Sequence, residues 1–237
     1  MAGDVPVSPS GGGGSWWAVH RDQVALGLTI VVLVLWNVGR SSVVPDHYGI
    51  PASLGMAALL GGLGALGGLG WGGLGLTPDR MPRGLAYGGV VFGLAVVVMV
   101  VVGALPFTSH ALDDNRVHVS AATMLFEVLV AIPFGTVVLE ELAFRGTLLG
   151  LLRRRLPVAW AVGVMSVLFG LWHVKGVLHD GSGGIAMGAV VGTVLATTAA
   201  GVGFGWLRVR SDSLLAPILA HVATNSVTFA VAWAFWN

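Results

Sequence analysis

The sequence predicts an all-α polytopic membrane helical bundle of about seven transmembrane helices, or eight if one segment is re-entrant or interfacial. Three observations predict it. Of 237 residues, 55% are hydrophobic and only 10% are charged, whereas soluble domains carry roughly a quarter charged residues. The mean hydropathy is +0.86, so this composition cannot supply a polar surface for a soluble domain. The apolar residues also gather into runs of the roughly 20 residues that a bilayer-crossing helix needs. These runs fall at 23–39, 51–76, 84–106, 118–151, 157–175, 184–207 and 213–236.

Residues 1–15 are rich in Gly, Ser and Pro and end in Gly11–Gly14. They hold too little apolar surface to order themselves and are expected to be disordered, leaving 16–237 as a single transmembrane domain. They do not form a secretory signal, because no basic region precedes an apolar core and no small-residue cleavage site follows one. The second span carries Gly61, Gly62, Gly64, Gly67, Gly68, Gly72 and Gly73. Small residues at four-residue spacing let membrane helices approach closely, which favours a central helix. The alternative is a loose or re-entrant segment, tolerated where irregular backbone is buried in protein. The fourth span is long enough to tilt or to begin as an interfacial helix, and Pro133 is expected to kink it.

Charge then orients the bundle. Arg21, Arg80, Arg83, Arg153, Arg154, Arg155, Arg208 and Arg210 fall on the side of the N-terminus, against Arg40, Arg116 and Lys175 on the other. This imbalance places the N-terminus in the cytoplasm and, across seven spans, the C-terminus outside the cell membrane. A net charge of +1 with no basic stripe argues against a nucleic-acid partner. The absence of cysteine excludes disulfides and thiolate metal sites.

Ionisable groups at bilayer depth are costly, so those inside spans mark a functional site. Glu140 and Glu141 lie within the apolar run from Gly135 to Arg145. Residues four apart share a helix face while adjacent ones diverge by about 100°. Glu141 and Arg145 are therefore ion-pair partners in the favourable acid-first order, and Glu140 points elsewhere, free for chemistry. A purely structural ion pair between spans is the plainer alternative. His173 ends the run from Phe169, and taken alone a histidine near a helix end is more often an interfacial residue than a catalyst. His221 and Asn225 share one face of the last span, where they serve either as a helix-packing hydrogen bond or as donors to a developing oxyanion. At about 1.5 Å per residue, Glu140 lies roughly 18 Å from the Arg153 end, His173 roughly 27 Å from Arg155, and His221 and Asn225 roughly 17 to 22 Å from Arg210. With tilt, all can meet near mid-membrane. Glu127 lies on a largely different face, where it either lines the same cavity nearer the outer surface or forms a hydrogen bond while protonated.

At these residues the chain resembles the CPBP family (CAAX protease and bacteriocin-processing, or Abi) of glutamate-dependent intramembrane endopeptidases. Glu140-Glu141-x-x-x-Arg145 resembles its first motif, Phe169-x-x-x-His173 its second and His221-x-x-x-Asn225 its third. Each motif is short, but the three in order within apolar helices are specific, and they set the catalytic core at about 118–237. The resemblance implies peptide-bond hydrolysis at a membrane-embedded site. Glu140 and His173 would activate a water as base and orienter, and His221 and Asn225 would stabilise the oxyanion. Glu141, Arg145 and Phe169 would support the site. The implied partners are a membrane-associated peptide or protein substrate and the bilayer. The family's eukaryotic branch removes a tripeptide from prenylated CAAX sequences, but relatives elsewhere act more widely, so a prenylated substrate does not follow.

Glu140, His173 and His221 could also furnish a zinc site with an open position. No His-Glu-x-x-His motif is present, and a glutamate-activated water needs no metal, so no cofactor is the favoured reading. No Gly-x-Ser-x-Gly elbow exists, and Gly181–Gly184 is expected to be a turn. Two other functions compete: a proton-coupled transporter, since intramembrane Glu and His also build proton relays, and a catalytically silent scaffold or immunity protein. Visible internal repeats would favour the first, and none is found. Presence of every motif residue argues against the second.

Overall fold

The computed structural model describes residues 16–105, 117–180 and 187–236, and among these there is no strand. The described residues hold seven helices long and apolar enough to cross a membrane. They are α1 (Trp16–Val43), α2 (Gly49–Leu66), α3 (Met81–Ala104), α4 (Ala121–Leu152), α5 (Val158–Leu178), α6 (Met187–Ser211) and α7 (Leu215–Phe235). The all-α polytopic bundle predicted from hydropathy is the observed fold. The segment 1–15 and the turn at 181–184 lie outside the described residues.

The second span divides the two expectations for its glycines. Helix α2 stops at Leu66, ten residues before the apolar run ends. Within the helix, Gly61 meets Leu142 of α4 and Gly64 meets Thr147, and the Thr147 hydroxyl donates to the Leu60 carbonyl at 3.0 Å. The central, closely packed reading holds there. Beyond it the chain turns irregularly through 67–76, with one helical turn at Trp71–Leu74. Gly68 and Gly75 adopt φ of +88° and +80°, left-handed conformations that Gly enters without the steric cost other residues meet.

Irregular backbone inside a bundle must still satisfy its carbonyls. Arginines do this. Arg154 Nη1 donates to Gly67 O at 2.9 Å and Arg154 Nη2 to Gly68 O. Arg208, 1% exposed, donates through Nη2 to Gly72 O at 3.2 Å and Gly73 O at 3.0 Å. Arg155 holds Asp22 of α1 in a two-pronged contact at 2.7 and 2.6 Å. Arginines thus brace one end of the bundle.

Glycine sets the helix spacing elsewhere. Gly84, Gly88 and Gly103 of α3 lie against Ser213, Ala216, Leu219, Val231 and Phe235. Gly170 of α5 faces Thr198 and the Val194 carbonyl of α6, while Gly201 and Gly205 of α6 face Ser166 and Met165 of α5. Small residues at such seams let membrane helices meet backbone to backbone.

Helix α4 continues past Pro133, with π-helical stretches at Glu127–Ala131, Pro133–Val137 and Leu142–Leu148. A fourth such stretch, Ala223–Val227, interrupts α7. Wider π turns absorb the hydrogen bond that a proline cannot donate, and they often occur at functional sites.

Gly170→Ala would place a Cβ 2.8 Å from the Val194 carbonyl oxygen and still nearer Thr198. Overpacking of this kind costs roughly 1–3 kcal/mol. Thermal unfolding in detergent should show a lower Tm for Gly170→Ala. Gly163→Ala on the same helix, with nothing within 4 Å of its Cβ, should match the wild type.

Candidate active site

The acid-first spacing on α4 forms the predicted ion pair. Arg145 Nη1 donates to Glu141 Oε1 at 2.8 Å, with both side chains 0% exposed. The same Glu141 oxygen accepts a 2.7 Å hydrogen bond from His221 Nδ1 of α7. Because a carboxylate oxygen accepts, Nδ1 carries the proton, which leaves Nε2 facing the other way. His221 Nε2 stands 3.9 Å from Glu140 Oε2, beyond hydrogen-bonding distance.

Arg145 is held by rings as much as by oxygens. Its guanidinium carbon lies 4.0 Å from the centroid of Phe169 on α5 and 5.1 Å from that of Phe204 on α6. Buried cation–π contacts can reach about 2 kcal/mol or more. They matter here because Arg145 Nε and Nη2 have no hydrogen-bond partner among the described residues. Phe204 also stacks on His221 with centroids 5.0 Å apart. Phe169, which also meets His173 and Phe144 edge-on, therefore supports the charged group directly.

Glu140 is arranged differently. Its Oε1 accepts from the indole N–H of Trp172 at 3.2 Å. Its Oε2 has no partner among the described residues, although the residue is only 7% exposed. Glu140 and His173 line one cavity of about 310 Å³ with Trp36, Asn37, Ser53 and Trp172. The Ser53 hydroxyl, also buried and unpartnered, lines the same space. Two orphaned polar atoms in one cavity mark a place for water or a substrate's polar groups, since buried polar atoms are otherwise almost always paired.

His173 sits at the turn that interrupts α5. Its Nδ1 lies 2.8 Å from the Phe169 carbonyl, which can only accept, so Nδ1 bears a proton and Nε2 is the nitrogen not used in that bond. Helix depth made Glu140, His173, His221 and Asn225 compatible with one pocket. Glu140 and His173 line the cavity, and His221 adjoins Glu140 from behind. Asn225 lies one turn further along α7, half-buried, with its Oδ1 3.5 Å from the Thr224 hydroxyl, and it is not among the lining residues. Glu127 lines a second cavity of about 390 Å³, which shares Arg40, Gly135 and Thr136 with the first.

Several contributors were missed by sequence reasoning. Trp172 stands beside His173 in the motif run but gave no polar signal. Phe204 is one aromatic among glycines. Ser53 lies in a span with no other polar feature. A latch between α1 and α5 also escaped. Asn37 Nδ2 donates to the Trp172 carbonyl at 2.9 Å, and Lys175 Nζ donates to Asn37 O, Val38 O and Ser41 Oγ at 2.8, 2.8 and 2.9 Å. Among the described residues no group of three or more His, Asp or Glu side chains converges as a metal-binding set.

Arg145→Ala would leave Glu141 buried with only His221 beside it. Breaking a buried pair costs about 3–5 kcal/mol, so the variant should show a large loss of folded protein by size-exclusion chromatography and thermal unfolding. Wild-type stability in that variant would mean that the pair does not hold the site.

Residues 120–227 match the family model described as Rce1-like, type II CAAX prenyl endopeptidase Rce1-like. The matched segment runs through α4, α5 and α6 and into α7. No curated protein and no solved structure matches the chain.

Proposed function

We propose that this chain, Rce1-like over residues 120–227 in keeping with the CPBP resemblance, is an intramembrane endopeptidase that hydrolyses a peptide bond with a glutamate-activated water. The observation that carries the reading is the state of Glu140. One of its oxygens is held by Trp172, and the other is buried, unpartnered and beside a cavity. A fixed carboxylate with one free oxygen is what a general base needs, because it can take a proton without losing its orientation.

In this reading a water in the cavity gives a proton to Glu140 Oε2 while its oxygen attacks the scissile carbonyl carbon. His173, through its free Nε2, accepts a hydrogen bond from the same water and orients it. The carbonyl oxygen gains the negative charge, and preorganised donors stabilise such charge strongly in a water-poor site. His221, with Nδ1 held by Glu141, supplies Nε2–H to that charge when protonated, and the amide of Asn225 supplies the second donor. Collapse of the tetrahedral intermediate breaks the C–N bond as Glu140 returns its proton to the leaving nitrogen. Glu141, Arg145 and Phe169 hold His221 and the helices in register. No metal enters these steps.

The substrate is a membrane-associated peptide or protein, and the N-terminus is cytoplasmic with the C-terminus outside. The deciding experiment is proteolysis of a membrane proteome by the protein reconstituted in vesicles. Glu140→Gln should remove the cleavage products, lowering the rate by at least about 100-fold, with its Tm unchanged. A zinc chelator should leave wild-type cleavage intact, and chelator-sensitive cleavage would overturn the metal-free mechanism. If wild type gives no products across varied substrates, proton-coupled uptake becomes the assay to run.

Asn225→Ala should reduce kcat by about 100-fold or more while leaving KM nearly constant, as loss of an oxyanion donor does. A rise in KM with kcat unchanged would remove Asn225 from that role.

A further inference from the structure

The two ends of the bundle differ in what reaches the cavity. Between Glu141 and the arginine-rich end, residues 143–149 of α4 are all buried, and Leu151 and Leu152 continue that packing. The cavity at the arginine-rich end, about 350 Å³ and lined by Gly70, Gly72, Arg153, Arg154 and Asp212 among others, contains none of the site residues. The site's own cavity is lined toward the opposite end by Arg40, Ser41, Lys175 and Gly176, where α1 and α5 finish. The adjoining cavity extends along the same end past Asp46, His47 and Glu127. The groove that reaches Glu140 and His173 therefore has its polar mouth at the end opposite the arginines, while an apolar pocket of about 210 Å³ between α1, α4 and α5 adjoins it at Asn37 and Trp172.

Arginine and lysine concentrate on the cytoplasmic side of membrane proteins, and eight arginines lie at the closed end. We infer that the site takes substrate from the non-cytoplasmic face, so its substrates are polypeptide segments exposed outside the membrane and not cytosolic chain ends. This inference rests on the peptidase reading and adds to it the side and class of the substrate. Mixed charge at the mouth of the groove, with Arg40 and Lys175 on one cavity and Asp46 and Glu127 on the next, suits a polar peptide segment there.

The chain has no cysteine, so single cysteines report their own location. In intact cells, a membrane-impermeant maleimide should label Ser41→Cys, at the mouth of the groove. It should label Asp79→Cys, at the arginine-rich end, only after permeabilisation. The reverse pattern would overturn the inference. A second arm offers impermeant quenched fluorescent decapeptides of mixed sequence to right-side-out and inverted vesicles. Glu140-dependent cleavage should occur with right-side-out vesicles, and maleimide on Ser41→Cys should abolish it. Cleavage with inverted vesicles alone would overturn the inference and leave the peptidase reading standing. Cleavage with neither, alongside Ser41→Cys labelled from outside, would overturn the peptidase reading instead.

Discussion

A single oxygen, Oε1 of Glu141, accepts hydrogen bonds from both Arg145 and His221, and the C-terminal half of the molecule is organised around it. Charge-assisted hydrogen bonds are roughly twice as strong as neutral ones, and removing Arg145 would strand the Glu141 charge in a medium that cannot solvate it. Arg145 in turn lies between Phe169 and Phe204, and Phe204 stacks on His221. Four helices, α4 to α7, thus meet at one buried charged unit. Glu140 needs no strong interactions of its own to be well placed, because its neighbour on α4 already fixes the helix that carries it. The free oxygen of Glu140 is available because Glu141 does the holding.

The rest of the bundle divides its polar groups by end. Toward the arginine-rich end, guanidinium groups are spent on glycine carbonyls and on Asp22, which lets an irregular turn exist where a helix was expected. Toward the other end, polar groups remain available to line a groove. This asymmetry follows from composition. A chain with so few charged residues cannot both brace an irregular segment and surround a wet cavity with the same side chains, so the two tasks occupy different ends.

Hydropathy made the seven spans legible, and their alternation with arginine clusters made the ends legible. The Glu141–Arg145 pair was legible because helix geometry alone fixes an i, i+4 contact. Trp172, Phe204 and Ser53 were not, since their roles depend on which helices become neighbours, and no periodicity encodes that. Hydropathy could not choose between the helical and the loose reading of the span beyond Leu66, because Gly and Leu keep it high whether the backbone is helical or not. Only the left-handed Gly68 and Gly75, and the arginines bonded to nearby carbonyls, distinguish the two. For Asn225, four-residue spacing from His221 implies a shared face in a regular α-helix, and the π-helical stretch that begins at Ala223 alters the winding between the two.

Lys175 has three N–H bonds and three acceptors, all on α1. A tripod of this kind works as a stitch across the seam between α1 and α5, with Asn37 adding a second stitch to the Trp172 carbonyl. Parting that seam would break four hydrogen bonds at once. Sliding along α4 past Gly135 and Thr136, where the two cavities join, breaks none of them. The rim is therefore stitched along its α1–α5 flank, so the two helices that border the cavity there move as one piece.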